Sequence, residues 1–344
     1  MTHRTVKRPE VSVLLAVHDA EDLIARCVES VLSQSLRDIE VIIVDLTSTD
    51  HTPQLLDRFV DRDFRVDVLS CETGRIEDGL ATAIEAAHGE RLLLLDQADW
   101  LSPDYLDQML AAARERSCEL VIPFTPREDA PRSARLQLLA TDAELHHGAV
   151  DLLAEEVLES AFGMLADASL MRAAAQSTTD PGLLALDLFD RASCVAVLET
   201  SSLHRDLPVW PGPLDPARYE RCERQHERLL ALFAAWGLAA DEESMTALHR
   251  HHLVGVIRCI ENACLGAGHL SSIERRQRVQ DMIDDHLTRD SIEALRSSSG
   301  EFGLMFAPIA RRSAAACFLG ARIRGVVGRV FAPWPFARPF ATLS

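Results

Sequence analysis

The sequence is short of positive charge: 35 Lys and Arg stand against 53 Asp and Glu among 344 residues, a formal net charge of −18. A phosphate-backbone partner needs clustered basic side chains, so this balance argues against nucleic acid as a ligand. The eight cysteines (27, 71, 118, 194, 222, 259, 264 and 317) include no C-x-x-C pair. Such scatter signals neither a zinc cage nor a disulfide framework, and reduced thiols in a cytoplasm are the expectation. No signal-peptide pattern opens the chain, because residues 1–10 are basic and polar and the first apolar run has only strand length; export is not expected. Ser313 to Phe331, the longest apolar stretch near the end, is broken by Arg322, Arg324 and Arg329, which makes a poor membrane-spanning helix. Internal repeats are lacking too.

What is present suits a globular protein. With 47% hydrophobic and 26% charged residues, the chain has an ordinary soluble composition and can bury one large core or two smaller ones. From residue 11 to about 124, short apolar runs alternate with segments of helical spacing. Val11 to Val17, Val41 to Val44, Arg65 to Leu69, Arg91 to Leu95 and Glu119 to Phe124 read as parallel strands buried on both faces. Glu21 to Gln34, Thr52 to Val60, Glu77 to Ala87 and Pro103 to Arg116 read as helices, with Pro53 and Pro103 near their starts, where a missing amide donor costs little. The pattern predicts a βαβα architecture with right-handed crossovers.

Pro123 to Arg135 reads as a loop leaving this unit, residues 143–194 as mostly helical, and Val195 to Leu198 as one more strand. Four prolines between Leu207 and Pro216 mark the clearest linker, after which the chain is helix-rich until Ser297-Ser298-Ser299-Gly300 interrupts it. Residues 301–344 carry six arginines and one glutamate and end in Trp334-Pro335-Phe336-Ala337-Arg338-Pro339-Phe340. Two readings of this tail stand side by side: contact with an anionic membrane surface, or a helix packing its apolar face on the acidic body. The divisions expected are 1–206, 207–300 and 301–344.

Two strands stop abruptly at acids: Val17-His18-Asp19 closes the first, and Val44-Asp45-Leu46 the second. Loops at the carboxyl ends of parallel strands are where open α/β sheets bind ligands. These segments, with Ser30 to Ser35 between them, resemble the opening of inverting family 2 glycosyltransferases with the GT-A fold. That family's pattern runs S-V-I-I-P-x-Y-N-x-E, S-x-x-x-Q-T and V-x-V-D-D-G-S-x-D. Leu92-Leu93-Leu94-Leu95-Asp96-Gln97-Ala98-Asp99-Trp100-Leu101-Ser102-Pro103-Asp104-Tyr105 is similar to its L-D-S-D-D-W-x-x-P-x-Y. Glu72-Thr73-Gly74-Arg75 through Gly89-Glu90 is more weakly similar to N-x-G-x-x-x-A-R-N-x-G-x-x-x-A-x-G-E.

The resemblance covers about residues 1–205. It implies a Rossmann-like nucleotide-diphospho-sugar transferase fold with a helical C-terminal extension, and transfer of a sugar from a nucleotide-diphosphate donor to an acceptor hydroxyl with inversion. Val17, His18, Asp19, Asp45, Arg75 and Asp96 are the candidate donor-binding residues. Asp96 and Asp99 are the candidates for a divalent cation, Mg²⁺ or Mn²⁺, since hard cations take oxygen ligands and neutralise a leaving diphosphate. Asp99 has a second reading as a cap for the helix near Pro103, and Arg75 as an ordinary solvated side chain. His18 reads as a stacking or polar contact rather than a metal ligand.

The departures from the pattern are chemical. Ala98 stands where the direct metal ligand is usual, Leu46 where a second acid recognises the base, and Leu80-Ala81 where Arg-Asn would face the diphosphate. The family's general base lies in a G-E-D-x-x-F segment, which falls here on Thr178 to Leu183. Asp180 is therefore the candidate base, with Asp187 in reserve and N-capping of the helix at Pro181 as the other reading of Asp180. Family resemblance further implies saccharide or lipid-linked acceptors and work in cell-envelope or polysaccharide synthesis, which fits the cytoplasmic placement expected from the thiols and the missing signal peptide and a peripheral membrane contact through the basic tail. A non-catalytic relative, or an enzyme whose donor needs little metal, are the alternatives the departures raise.

Overall fold

The computed structural model describes residues 8–115, 117–125, 136–205 and 212–331, with side chains up to residue 325. Two compact units emerge, one made of the chain as far as Leu207 apart from 153–156, the other of those four residues and everything from Pro208.

In the first unit, β1 (Val11–Val17), β2 (Ile39–Asp45), β3 (Val66–Ser70), β4 (Arg91–Leu94), β6 (Leu120–Phe124), β7 (Leu136–Leu139), β8 (Leu165–Asp167) and β9 (Val195–Glu199) form one sheet in the order β3-β2-β1-β4-β8-β6-β9-β7. β3, β2, β1 and β4 run parallel, as do β6 and β9; β8 and β7 are antiparallel to their neighbours. All seven residues of β1 are buried, as expected for a parallel strand covered on both faces. Two short strands, β5 (Asp99–Leu101) and β10 (Leu203–Arg205), pair antiparallel beside the main sheet.

Helices α1 (Ile24–Leu32), α2 (Thr52–Arg62), α3 (Ile76–Ala86) and α4 (Tyr105–Glu115) alternate with the first strands. α1 buries Ile24, Cys27, Val28, Val31 and Leu32, the spacing that gives a helix one apolar face. The glutamine of the S-x-x-x-Q motif proves architectural. Gln34 is fully buried, donates to the Ser102 carbonyl (2.7 Å) and accepts from the Leu106 amide (3.0 Å), pinning the end of α1 to the start of α4. Further on come α5 (Asp142–Ala154), α6 (Ala168–Ala175) and α7 (Pro181–Arg191).

The helical expectation for 143–194 misses β8, three residues inserted between β4 and β6; so short a strand has no period to detect. Cys118 and Cys194, 76 residues apart in sequence, are brought side by side with their Cα atoms 4.7 Å apart, a pairing the scatter of cysteines does not suggest. The parallel pairing of Leu120 with Val195 brings the two flanks together, which no sequence spacing reveals. Within the expected 123–135 loop, residues 126–135 lie outside the described residues, as do 206–211 of the proline-rich linker and the aromatic tail from 332.

The second unit is helical: α8 (Arg218–Ala235), α9 (Glu242–Leu265), α10 (Ser272–Asp284), α11 (His286–Ala294), α12 (Phe306–Ala310) and α13 (Ala314–Phe331). Leu253, Val256, Ile257 and Ile260 of α9 share a core with Val279, Ile283, Ile292, Phe306, Ile309 and Cys317. Arg324 of α13 and Glu261 of α9 form a buried ion pair at 2.7 Å. No helix among the described residues is long and apolar enough to cross a membrane.

Candidate active site

The carboxyl ends of β2, β1 and β4 lie side by side, which brings the loops carrying Asp45, Asp19 and Asp96 to one edge of the sheet. The loops are tied by their own side chains. Gln97 accepts from the His18 amide (2.9 Å) and donates back to the His18 carbonyl (3.3 Å). His18 Nδ1 donates to the Leu46 carbonyl at 2.9 Å, which fixes the tautomer, because a carbonyl only accepts. Asp19 sits at φ 44°, a left-handed conformation that aspartate tolerates better than most residues. There it accepts from the Thr49 amide (2.7 Å) while its own amide donates to Ser48 Oγ (3.0 Å).

Val17 is fully buried and its carbonyl accepts from the Leu46 amide at 2.8 Å, so it contributes position rather than a side-chain contact. Asp45 accepts from the Ser48 amide at 3.3 Å through Oδ2, and its buried Oδ1 has no hydrogen-bond partner. Leu46 turns inward: it is 3% exposed, and its Cδ2 would lie 2.6 Å from a Cβ at Gly79, so the missing side chain on α3 makes room for it. Arg75 precedes α3, 66% exposed, with Nε 3.6 Å from Glu77.

Asp96 Oδ1 accepts from the Ala98 amide at 2.9 Å, and the Asp99 amide donates to the Asp96 carbonyl at 2.9 Å, making a tight turn. Beneath it Cys27 Sγ donates to the Asp96 carbonyl at 3.6 Å. Burial, with Asp99 and Asp96 nearby, pushes this thiol up and holds it neutral. Asp99 is 3% exposed and pairs with Arg205 across the β5–β10 ladder, Oδ2 to Nε 3.6 Å.

The donor set therefore does not fit the divalent cation expected at Asp96 and Asp99. Ala98 offers hydrocarbon, Asp99 is committed to a guanidinium, and one Asp96 oxygen is already bonded; among the described residues no three His, Cys, Asp or Glu side chains converge as metal ligands. Asp180 caps α7: its Oδ1 accepts from the Gly182 and Leu183 amides, both at 3.1 Å, and the residue is 6% exposed. Asp187, within α7, is buried.

Sequence reasoning missed Gln97, Arg205 and a three-layer stack. Trp100 lies between His204 (ring centroids 3.7 Å apart, 10° between planes) and the guanidinium of Arg26 at 4.1 Å. No motif spacing joins residues 26, 100 and 204. A depression of about 1280 Å³ lies elsewhere in this unit, at the amino ends of the strands among Arg37, Glu40, His88 and Arg172.

The parallel half-sheet with acids at its carboxyl edge defines the GT-A class of nucleotide-diphospho-sugar transferase fold. Residues 12–154 match Glycosyl transferase family 2, and this part of the chain is a family 2 glycosyltransferase domain. EpsH of Bacillus subtilis (strain 168) is 37% identical over 117 residues, 34% of each chain. The succinoglycan biosynthesis protein ExoO of Rhizobium meliloti (strain 1021) is 32% identical over 117 residues, 34% of this chain and 33% of its own. Chondroitin synthase of Escherichia coli is 32% identical over 133 residues, 38% of this chain but 19% of the synthase. The chain thus spans about a third or less of these curated relatives. Among solved structures, S. aureus TarS 1-349 in complex with UDP-GlcNAc superposes with a TM-score of 0.55 at 16% identity, covering 91% of this chain and 90% of that one, a likeness of fold.

Proposed function

We propose that this protein is an inverting glycosyltransferase that moves a sugar from a nucleotide-diphosphate donor to a saccharide or lipid-linked acceptor hydroxyl in polysaccharide or cell-envelope synthesis. One observation carries the reading: Asp19, Asp45 and Asp96 stand at adjacent carboxyl strand ends, within the segment that matches the family. The orphaned Oδ1 of Asp45 is the kind of buried acceptor that a ligand hydroxyl or N–H satisfies. His18, half exposed, is bonded to the Leu46 carbonyl next to Asp45, and Arg75, exposed ahead of α3, is available to a diphosphate.

In the transfer, the acceptor oxygen attacks the anomeric carbon as the bond to the diphosphate oxygen breaks, and that oxygen keeps the electron pair. Asp180 takes the acceptor proton. The enzyme works in the cytoplasm, at the inner face of a membrane. Supporting that placement, α13 leaves Leu319 and Ile323 exposed, with the exposed Arg322 beside them, a pairing suited to an anionic lipid surface.

Leu46 and Ala98 favour a second reading, a non-catalytic relative that serves as a binding or scaffold partner. Thermal unfolding of the full chain against UDP-, GDP-, CDP- and dTDP-linked sugars separates the two. A ligand that binds only the folded state raises its midpoint by mass action, so one selective donor is expected to raise it and then to be consumed on incubation with acceptor extracts. No shift with any donor would favour the non-catalytic reading.

A further inference from the structure

The leaving diphosphate carries negative charge that must be neutralised, and the carboxylate pair that would hold a divalent cation is not available for it. Beside Asp99 lies instead a cation of the chain itself. Arg205 lies opposite Asp99 in the β5–β10 register. Its Nε is 3.6 Å from Asp99 Oδ2, and its Nη2 donates to the Phe162 carbonyl at 2.7 Å. Two contacts from different segments thus orient the guanidinium, yet the side chain stays 44% exposed. The Asp99 amide in turn donates to the Asp96 carbonyl, so this cation is tied to the turn that carries Asp96.

We propose that Arg205 is the fixed cation for the donor diphosphate, a binding residue that makes donor recognition independent of a divalent metal. The inference rests on the transferase reading and deepens it. A guanidinium suits this role because it stays charged, offers planar paired donors that match phosphate oxygens, and is less strongly hydrated than an ammonium. Asp99 then acts as the buried counter-charge that holds Arg205 in place, which accounts for an acid beside Ala98 that is nearly inaccessible to solvent. The neighbouring Arg26, stacked on Trp100, adds positive potential at the same turn.

The test is calorimetric titration of the full chain with UDP, GDP and CDP, and with the matching nucleosides, in EDTA and in Mn²⁺. Nucleoside diphosphate binding is expected to persist in EDTA. Arg205→Gln is expected to weaken the diphosphate about ten- to a hundredfold, the loss for a hydrogen-bonded charge, while leaving the nucleoside unaffected. Arg205→Lys retains part of the affinity and guards against a folding defect in the glutamine variant. Ala98→Asp, which restores the missing carboxylate, is expected to gain a Mn²⁺-enhanced component.

Wild-type binding that vanishes in EDTA would overturn the inference and leave the transferase reading standing. Equal loss of nucleoside and diphosphate in Arg205→Gln would reduce the residue to a structural role. Absence of binding by every nucleotide in both buffers would overturn the transferase reading and this one with it.

Discussion

Asp180 has an observed role as a cap and a proposed one as the base, and a single substitution can separate the two. Its Oδ1 caps α7 through two amides; an asparagine keeps that acceptor, whereas an alanine loses it at about 1 kcal/mol. In the proposed role of base it would also take a proton, which asparagine cannot do, at a cost of roughly 10²- to 10⁴-fold in turnover. Asp180→Asn should therefore melt close to wild type and lose transfer, and Asp180→Ala should lose both. An asparagine variant with full turnover would leave the residue a cap only. Asp96→Ala removes an acid from a turn whose backbone hydrogen bond from Asp99 persists. The fold should survive while transfer falls about a hundredfold or more, since misplacement of a bound substrate costs that much; radiolabelled sugar incorporation measures it.

At the scale of elements, the site depends on how β1 and β4 are brought together. Gly89 precedes β4, and its amide donates to the buried Ser12 Oγ at 2.8 Å. A Cβ there would meet Ser12 Oγ at 2.5 Å, the Ser12 amide nitrogen at 2.7 Å and the Arg91 carbonyl at 3.0 Å. Backbone cannot yield as a side chain end does, so Gly89→Ala should destabilise by about 2 kcal/mol or more, in the range of overpacked sites. Urea unfolding measures this, with a reduced midpoint at unchanged slope expected. Here the sequence was most legible: β1, β2, β3, β4, β6 and β9 follow apolar runs that a parallel sheet requires. β5, β8 and β10 did not announce themselves, being three residues each and defined by partners far away in the chain. The same remoteness hid Arg205, whose importance arises only from its register with Asp99.

On the scale of the whole molecule, the second unit carries a pH dependence distinct from the site. His226 and His252 are each 1% exposed and stack at 3.9 Å, with His249 5.7 Å from His226. Neither ring nitrogen of His226 is hydrogen-bonded. Burial, with the other histidines, pushes His226 down to about 2 and His252 down to about 3, and burial alone lowers His249 against the pull of Asp290. Unfolded, these rings bind protons below their ordinary value of 6.5, so their contribution is present above it and is lost as pH falls. Each excess proton on the unfolded chain removes about 1.4 kcal/mol per pH unit. Glu223 works the other way: burial raises it to about 7, so the folded state gains its proton first. Three histidines against one glutamate leave a net loss, and the urea midpoint should drop between about pH 7 and about pH 5. His226→Leu should flatten that slope; a wild-type midpoint that does not fall would mean the imidazoles accept protons inside the fold.

The sequence by itself determined the class of the first unit. Alternating apolar strands and amphipathic helices leave few ways to bury both faces of a sheet, and acids at strand ends then fall at one edge. It also displayed the departures, Leu46 and Ala98, because identity at a motif position is local information. Only the tertiary structure decided what those departures do. Leu46 fills the space that Gly79 leaves, Asp99 answers the guanidinium of Arg205 from a distant strand, and Cys118 lies against Cys194. Each of these is a pairing set by strand register and packing, and register emerges only when distant segments share a core.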